Sequence, residues 1–526
     1  MAAASLVLEL LRQQWQVTVA ILLLPLASFL LTRRRSSNLN GCDESGGLRL
    51  PPCPWRLPMV GNLHHIGSLP HRDLARLARR HGPVMMVRLG MVPAVVLSTA
   101  AAAEEAFKTN DKDCSSRPLT VGPGKLTYGY KDVVFAPWSD YVREMRKLFI
   151  IEMLSARRVK AAYFARETQI ERMVAKLEAV GPNPIRIDEH IFTTVDAIVS
   201  LFVFGELNAG EQFKGELVDL LNETTDLLTS FTAEDYFPNA AGRLIDRITG
   251  MHGRRETLFR KLDSMMEYLL AMYEDPGHKR KADADGSDLV QEVVDLMKRP
   301  PAKGMITFTR DHAKSILFDT FMAATDTSSI SSYWVMTELI RHPRVLHKAQ
   351  AEVRAAAGGA PQVRISDMPK LKYLRMVLSE TFRMHPPATM LVPRETMRPI
   401  RLGGYDIPAN TMLMVNAWAI GRDPSSWKDP EVFYPERFEE LDVDFNGGHY
   451  ELLPFGAGRR ICPGLAMGVA NTEFILANLL YCFNWALPQG MRSEDVGVEE
   501  FGGLTFRKKK PLVLVPTRYY PDKEEK

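Results

Sequence analysis

A cysteine at the end of a glycine-rich loop is the residue best placed for chemistry. Residues 455–464 read Phe-Gly-Ala-Gly-Arg-Arg-Ile-Cys-Pro-Gly, and an apolar run, 465–483, begins at once after them. Gly456, Gly458 and Gly464 allow tight turns and close approach of the backbone to a flat group. Amide donors and the positive end of the following helix point back at the Cys462 sulfur, and Arg459 and Arg460 add formal charge. Each of these favours thiolate over thiol. A thiolate on such a loop is a metal ligand or a nucleophile. Free cysteine is also among the most commonly buried residue types. The full spacing Phe-x-x-Gly-x-Arg-x-Cys-x-Gly favours metal ligation over simple burial.

A second stretch has the means to move protons. Residues 309–341 read as one helix, capped by Thr309 and stopped before Pro343. Its middle, Ala323-Ala-Thr-Asp-Thr-Ser-Ser329, is small, polar and of poor helix propensity. A local sequence that contradicts its own element is expected at functional sites. Small side chains let a flat ligand lie against the helix, and a hydroxyl beside a carboxylate, Thr327 beside Asp326, can pass protons. A solvated polar face is the plainer alternative, but apolar residues on both sides favour burial.

Both stretches resemble the cytochrome P450 family, the loop at every position of its haem-binding pattern. The resemblance implies haem b, iron protoporphyrin IX, with Cys462 as axial thiolate ligand and Phe455, Gly458 and Gly464 shaping the loop. It implies that Arg146, Arg394 and Arg460 bind the haem propionates, and that Asp326 and Thr327 form the acid–alcohol pair. Glu380 and Arg383, three apart before His-Pro-Pro, correspond with Arg437 to a Glu-Arg-Arg network that is structural, not catalytic. His385 is left a packing role at the helix end.

Three positions depart from the family pattern. Val142 stands where tryptophan is usual, with Trp138 one turn earlier as a replacement donor; Ala324 stands for glycine in the oxygen-activation motif; Cys53 stands for glycine in the proline-rich hinge. The implied reaction is two-electron activation of O2, with electrons from NADPH through NADPH–cytochrome P450 reductase, and insertion of one oxygen atom into a small apolar or aromatic substrate. Family substrate contacts map to stretches containing Phe231, Ala323, Thr389, Met390, Leu391, Val392 and Phe506, whereas Glu234 and Asp235 are expected to face solvent.

The catalytic region is similar to plant microsomal members. Residues 232–244, Thr-Ala-Glu-Asp-Tyr-Phe-Pro-Asn-Ala-Ala-Gly-Arg-Leu, resemble members that turn an aromatic aldoxime into a hydroxynitrile. Oxidation of terpenoids or phenolics, an oxygen-independent haem-thiolate dehydratase or isomerase, and a membrane-anchored haem sensor or electron carrier are the alternatives.

These residues need a large scaffold. The chain has 526 residues, 46% of them hydrophobic, enough for an extensive core. Lys+Arg is 66 against Asp+Glu 63, which lacks the basic excess of a nucleic-acid binder. Five cysteines without C-x-x-C pairing argue against a disulfide framework or a structural zinc site. Residues 17–32 are uncharged and mostly apolar, and Arg33, Arg34 and Arg35 follow. That order describes a membrane anchor with the remainder in the cytosol, and the family resemblance places it in the endoplasmic reticulum membrane.

The expected organisation is an anchor at 1–35, a linker and proline-rich hinge at 36–58, and a catalytic region at 59–526. Helical periodicity dominates 139–350, interrupted by an exposed connector at 275–287. Strand-like runs at 84–89, 94–98, 411–416, 504–507 and 512–517 complete the pattern. The fold class is therefore mainly α with a small β-rich part, a cytochrome P450 fold preceded by one transmembrane helix. Basic residues at Arg143, Arg146, Lys147, Arg157, Arg158 and Lys160 suit an acidic electron-donor protein as well as a solvated face.

Overall fold

A computed structural model describes residues 47–205, 210–275, 288–300 and 306–521. The expected anchor at 1–35, the linker as far as residue 46, and all of the connector beyond Asp275 lie outside the described residues. The helices that frame the site are α1 (Asp140–Leu148), α2 (Ile187–Phe204), α3 (Gly210–Thr229), α4 (Arg310–Arg341), α5 (Lys372–Met384) and α6 (Leu465–Cys482). The strands used below are β1 (Val84–Leu89), β2 (Val92–Leu97), β3 (Arg394–Glu395), β4 (Met412–Val415), β5 (Glu500–Gly502), β6 (Phe506–Lys508) and β7 (Val513–Arg518).

The central helix α4 is buried along most of its length, with polar side chains such as Ser315, Asp319 and Thr337 included. Ile316, Leu317, Phe318, Phe321, Val335 and Leu339 all lie in the core. It packs between α2 and α6, with α5 alongside. The Thr309 backbone N–H donates to His312 Nδ1 at 3.0 Å and opens the helix; His342, before Pro343, closes it. The poor helix formers in the middle do not break it; the Thr327 hydroxyl bonds back to the helix, whereas those of Thr325, Ser328 and Ser329 are buried with no hydrogen-bond partner among the described residues. Thr327 Oγ1 donates to the Ala323 carbonyl at 2.6 Å and Ser331 Oγ to the Thr327 carbonyl at 2.7 Å. Such back-bonding satisfies the hydroxyl without a partner outside the helix.

Helix α6 is apolar and long enough to cross a membrane, yet 72% of it is buried within the protein, so it is a core helix. Each large side chain it buries, such as Phe474, Leu476 and Leu480, adds about 1.5–3 kcal/mol. The main sheet runs β1-β2-β4-β3. β1 and β2 form an antiparallel hairpin with Val84 opposite Leu97, β4 adds parallel to β2, and β3 returns antiparallel. That last pairing sets Arg394 opposite Leu413, at the edge of the site. β5 and β6 form a second hairpin near the chain's end, and β7 pairs with Phe483–Ala486 directly after α6. The proline-dense hinge is irregular, and Cys114, Cys462 and Cys482 are free thiols among the described residues.

Candidate active site

The cysteine loop closes on itself. The Cys462 N–H donates to the Phe455 carbonyl at 2.9 Å and Ile461 N–H to the Gly458 carbonyl at 3.0 Å. Gly458, at φ +65°, cannot be replaced cheaply: a Cβ there would lie 2.5 Å from Asp111 Oδ1. Its close approach is therefore to the protein's own chain. The Phe455 ring meets Phe382 edge-on at 5.3 Å, tying the loop to α5.

Cys462 is half-buried and lines a cavity with about 2010 Å³ of unfilled space, open solvent at its mouth included.

The electrostatics of the sulfur differ from the sequence expectation. Burial pushes the Cys462 thiol up, opposed by the hydrogen bond from Gly464 and the charge of Arg146. Arg460 instead donates to the Ser115 carbonyl at 2.8 Å, and the Arg459 backbone N–H reaches Asp111 at 3.1 Å. A thiolate at this depth calls for a cation bonded to it.

Four guanidinium groups converge on the same cavity: Arg117, Arg146, Arg394 and Arg460. All four are buried, and among the described residues only Arg394 makes an ion pair, with Asp111 at 3.0 Å. Arg146 donates to the Ile461 carbonyl at 2.7 Å, which places it beside the cysteine loop. Burial lowers each of them, and mutual repulsion lowers Arg460 further, to about 9; Arg117 falls well below its ordinary value for the same two reasons. A buried cluster of this sign fits a ligand bearing two carboxylates. The residues present therefore fit haem: a sulfur ligand, a wide apolar hollow and cations for two propionates.

Arg117 and Asp111 escaped the sequence reading, because each acts through contacts with segments more than two hundred residues away. Val142 is fully buried. Trp138 lies over the Arg460 guanidinium, 5.3 Å from ring centre to carbon, and does not line the cavity.

Asp326 and Thr327 both line the cavity. The Asp326 carboxylate accepts a hydrogen bond from Thr505 Oγ1; burial raises its pKa, and Thr505 and Arg507 oppose that. Asp319, two turns earlier, is a further acid in the wall, raised well above the carboxylate range by burial and by neighbouring Asp132.

Beneath the loop, Arg383 donates to both Glu380 oxygens at 2.8 Å, and Arg437 Nε to Glu380 at 3.1 Å. Arg383 also caps the Gly421 and Pro430 carbonyls at 2.6 and 2.7 Å. His385 stacks on Trp334 at 3.9 Å and contacts Glu338 at 2.8 Å.

The proposed substrate residues divide. Ala323, Leu391 and Val392 line the cavity, as does Ala324; Leu504 and Thr505 line it in place of Phe506. Phe506 packs against the His71 ring at 4.5 Å, Thr389 is 1% exposed and points elsewhere, and Met390 joins the sheet's apolar cluster. Phe231 is 59% exposed and stacks on Tyr236 at 5.1 Å. Asp235 does not face solvent: it accepts from the Val121 amide at 2.7 Å, and burial raises it to about 6. Ile198, Val199, Phe202 and Leu228 supply apolar wall that the sequence reading did not nominate.

Helices closed around a loop-borne cysteine and a buried arginine cluster define a haem-thiolate class of protein. The chain belongs to the cytochrome P450 family, whose pattern matches residues 51–515. It is 53% identical, over 96% of each chain, to 4-hydroxyphenylacetaldehyde oxime monooxygenase of Sorghum bicolor. It is 42% identical to 2-methylbutanal oxime monooxygenase of Manihot esculenta, over 98% of this chain and 99% of that one. A solved zebrafish cytochrome P450, determined with progesterone, superposes at TM-score 0.70 with 22% identity, covering 85% of this chain and 99% of its own. That likeness shows the fold. The protein is a monooxygenase, an oxidoreductase.

Proposed function

We propose that the protein converts an aromatic aldoxime, with 4-hydroxyphenylacetaldehyde oxime as first candidate, to a hydroxynitrile in plant specialised metabolism. The observation that carries this is 53% identity along almost the whole chain to a monooxygenase of that oxime, supported by a second oxime monooxygenase at 42%. Dehydration of an aldoxime to a nitrile releases one water and needs no net electrons. Hydroxylation then takes one oxygen atom from O2 and reduces the other to water with two electrons and two protons. Haem, when bound, supplies the electron-rich iron that makes this chemistry accessible.

Cys462 would hold the iron, and Arg117, Arg146, Arg394 and Arg460 the propionates. Asp326 and Thr327 would pass protons at the face of α4. Leu391, Val392, Ala323 and Ala324 would enclose the substrate and keep out water. Glu380, Arg383 and Arg437 would fix the core under the loop.

The test is an assay with NADPH, reductase and a panel of oximes, terpenes and phenolics. Nitrile and hydroxynitrile from the aromatic oxime are expected. Oxidation of a terpene or phenolic with no conversion of any oxime would overturn the reading. Hydroxynitrile formed without O2 would point to the oxygen-independent alternative, and no substrate-induced spectral change with any compound to a sensor.

Membrane attachment through 1–35, in the endoplasmic reticulum with the catalytic part in the cytosol, is part of the same proposal. Exposed apolar residues at Trp55, Met59, Met91, Leu244 and Ile248 support it. They are linked in space: Gly90 bonds Val60, and Met91 bonds Tyr236 just ahead of the segment bearing Leu244 and Ile248. Recovery of a chain lacking 1–35 in the membrane fraction, undiminished, would remove the anchor.

For electron delivery, Arg143, Lys147, Arg157 and Lys160 are the exposed members of the basic group; Arg143 also pairs with Asp140 at 3.2 Å, and Arg158 pairs with Glu292. Charge reversal at Arg157 and Lys160 is expected to slow reduction several-fold at low salt, by weakening steering. Unchanged kinetics would place the reductase elsewhere.

A further inference from the structure

We propose that Thr505 is a positioning residue: its hydroxyl holds the Asp326 carboxylate at the cavity and thereby sets the efficiency of proton delivery. This rests on the reading of Asp326 and Thr327 as the proton pair.

Thr505 sits in the turn between β5 and β6, and its Oγ1 donates to Asp326 Oδ2. Both residues line the cavity. The turn is placed by contacts that do not involve Asp326. Glu500 at its base accepts from His71 at 2.9 Å and Arg72 at 2.7 Å. The Phe506 N–H donates to the Pro387 carbonyl at 3.0 Å, and Trp334 Nε1 to the Phe506 carbonyl at 3.0 Å. A Cβ on Gly502 would fall 1.9 Å from the Thr505 carbonyl oxygen, so the turn is as tight as glycine allows. A fixed turn therefore presents a fixed donor to a carboxylate on another element. That is how a hydrogen bond selects one rotamer of an acid.

The alternative partner is close. Arg507, two residues along the same strand, attracts Asp326, while Asp226 on α3 repels it and Asp196 on α2 interacts with it. Arg507 also borders a second hollow, with Arg186, Asp188 and Tyr333. Without the Thr505 hydroxyl, the carboxylate is free to turn toward Arg507 and away from the position it holds in the cavity wall. Each hydroxylation consumes two protons and two electrons per O2. When proton delivery falters, the same two electrons and two protons leave as hydrogen peroxide.

Thr505→Val keeps the shape and deletes the donor. Haem content, the carbon monoxide spectrum and oxime affinity should match the parent, with NADPH oxidation continuing. Product per NADPH should fall about tenfold, with peroxide making up the difference. Thr505→Ser should restore coupling. In the resting enzyme, the carboxyl infrared band identified by its loss in Asp326→Asn should titrate at higher pH in Thr505→Val, because a donated hydrogen bond favours the charged form.

Full coupling in Thr505→Val, or equal uncoupling in the valine and serine variants, overturns the proposal. Thr505→Ala, compared with serine, is read in the same way should valine disturb the hairpin. Asp326→Asn separates the two layers. If it leaves coupling intact, the proton-pair reading fails; if it uncouples while Thr505→Val does not, only the positioning role fails.

Discussion

Cys462→Ser is expected to abolish monooxygenation and to remove the carbon monoxide spectrum of a thiolate-ligated ferrous haem. Serine is nearly the same size, so the loop closure from the residue 462 N–H to the Phe455 carbonyl, 2.9 Å in the parent, survives. With Cys462 as the proposed ligand, what would be lost is the sulfur's electron donation, which haem-thiolate oxygen chemistry needs. Burial compounds the loss, since a group that raises the pKa of a thiol also opposes ionisation of a weaker acid. The effect on turnover is total rather than graded. A serine variant that kept the thiolate-type spectrum, or converted substrate at a tenth of the parent rate, would move the ligand away from position 462.

Glu380→Gln is expected to cost about 3–5 kcal/mol, because it takes from two buried guanidiniums, Arg383 and Arg437, the one carboxylate they share. Glu380 is 0% exposed and Arg383 1%, so water cannot take over. Glutamine keeps an acceptor for one guanidinium and presents donors to the other. Typical domain stability is about 5–15 kcal/mol, so a loss of this size removes much of the margin. Denaturant unfolding of the haem-loaded protein measures it directly, with lower haem retention as a second readout. An unfolding midpoint equal to the parent's would show that the Arg383 contacts to the Gly421 and Pro430 carbonyls hold this region by themselves.

The cysteine loop and central helix were legible in the sequence because their signals are local. Glycines at fixed spacing, Thr309 at one helix end and Pro343 beyond the other lie within a few residues of what they determine. Arg117 and Asp111 had no such signal. Their roles come from Arg117 reaching the Val392 and Pro393 carbonyls and Asp111 reaching Arg394, pairings that only the folded chain creates.

The substrate wall shows the same limit more finely. The family resemblance marked the segment 388–392 as near the cavity but not which side chains enter. Leu391 has a backbone φ of +50°, and that turn sends Leu391 and Val392 inward while Thr389 and Met390 face the protein. The electrostatic expectation for Cys462 held for the Gly464 amide and failed for the two neighbouring arginines, for a related reason. Arg459 and Arg460 are neighbours in sequence, yet they spend their charge on Asp111 and on carbonyls of residues 115–136.

The four converging guanidiniums bear on how the protein is assembled. A hollow that crowds like charges is stabilised when something anionic enters, so haem binding is expected to tighten the packing around Arg117, Arg394 and Arg460. Porphyrin supply during synthesis then acts as a folding ligand, stabilising in proportion to the logarithm of its free concentration. Cells short of iron or tetrapyrrole would accumulate less of this polypeptide, through turnover of the less stable haem-free chains.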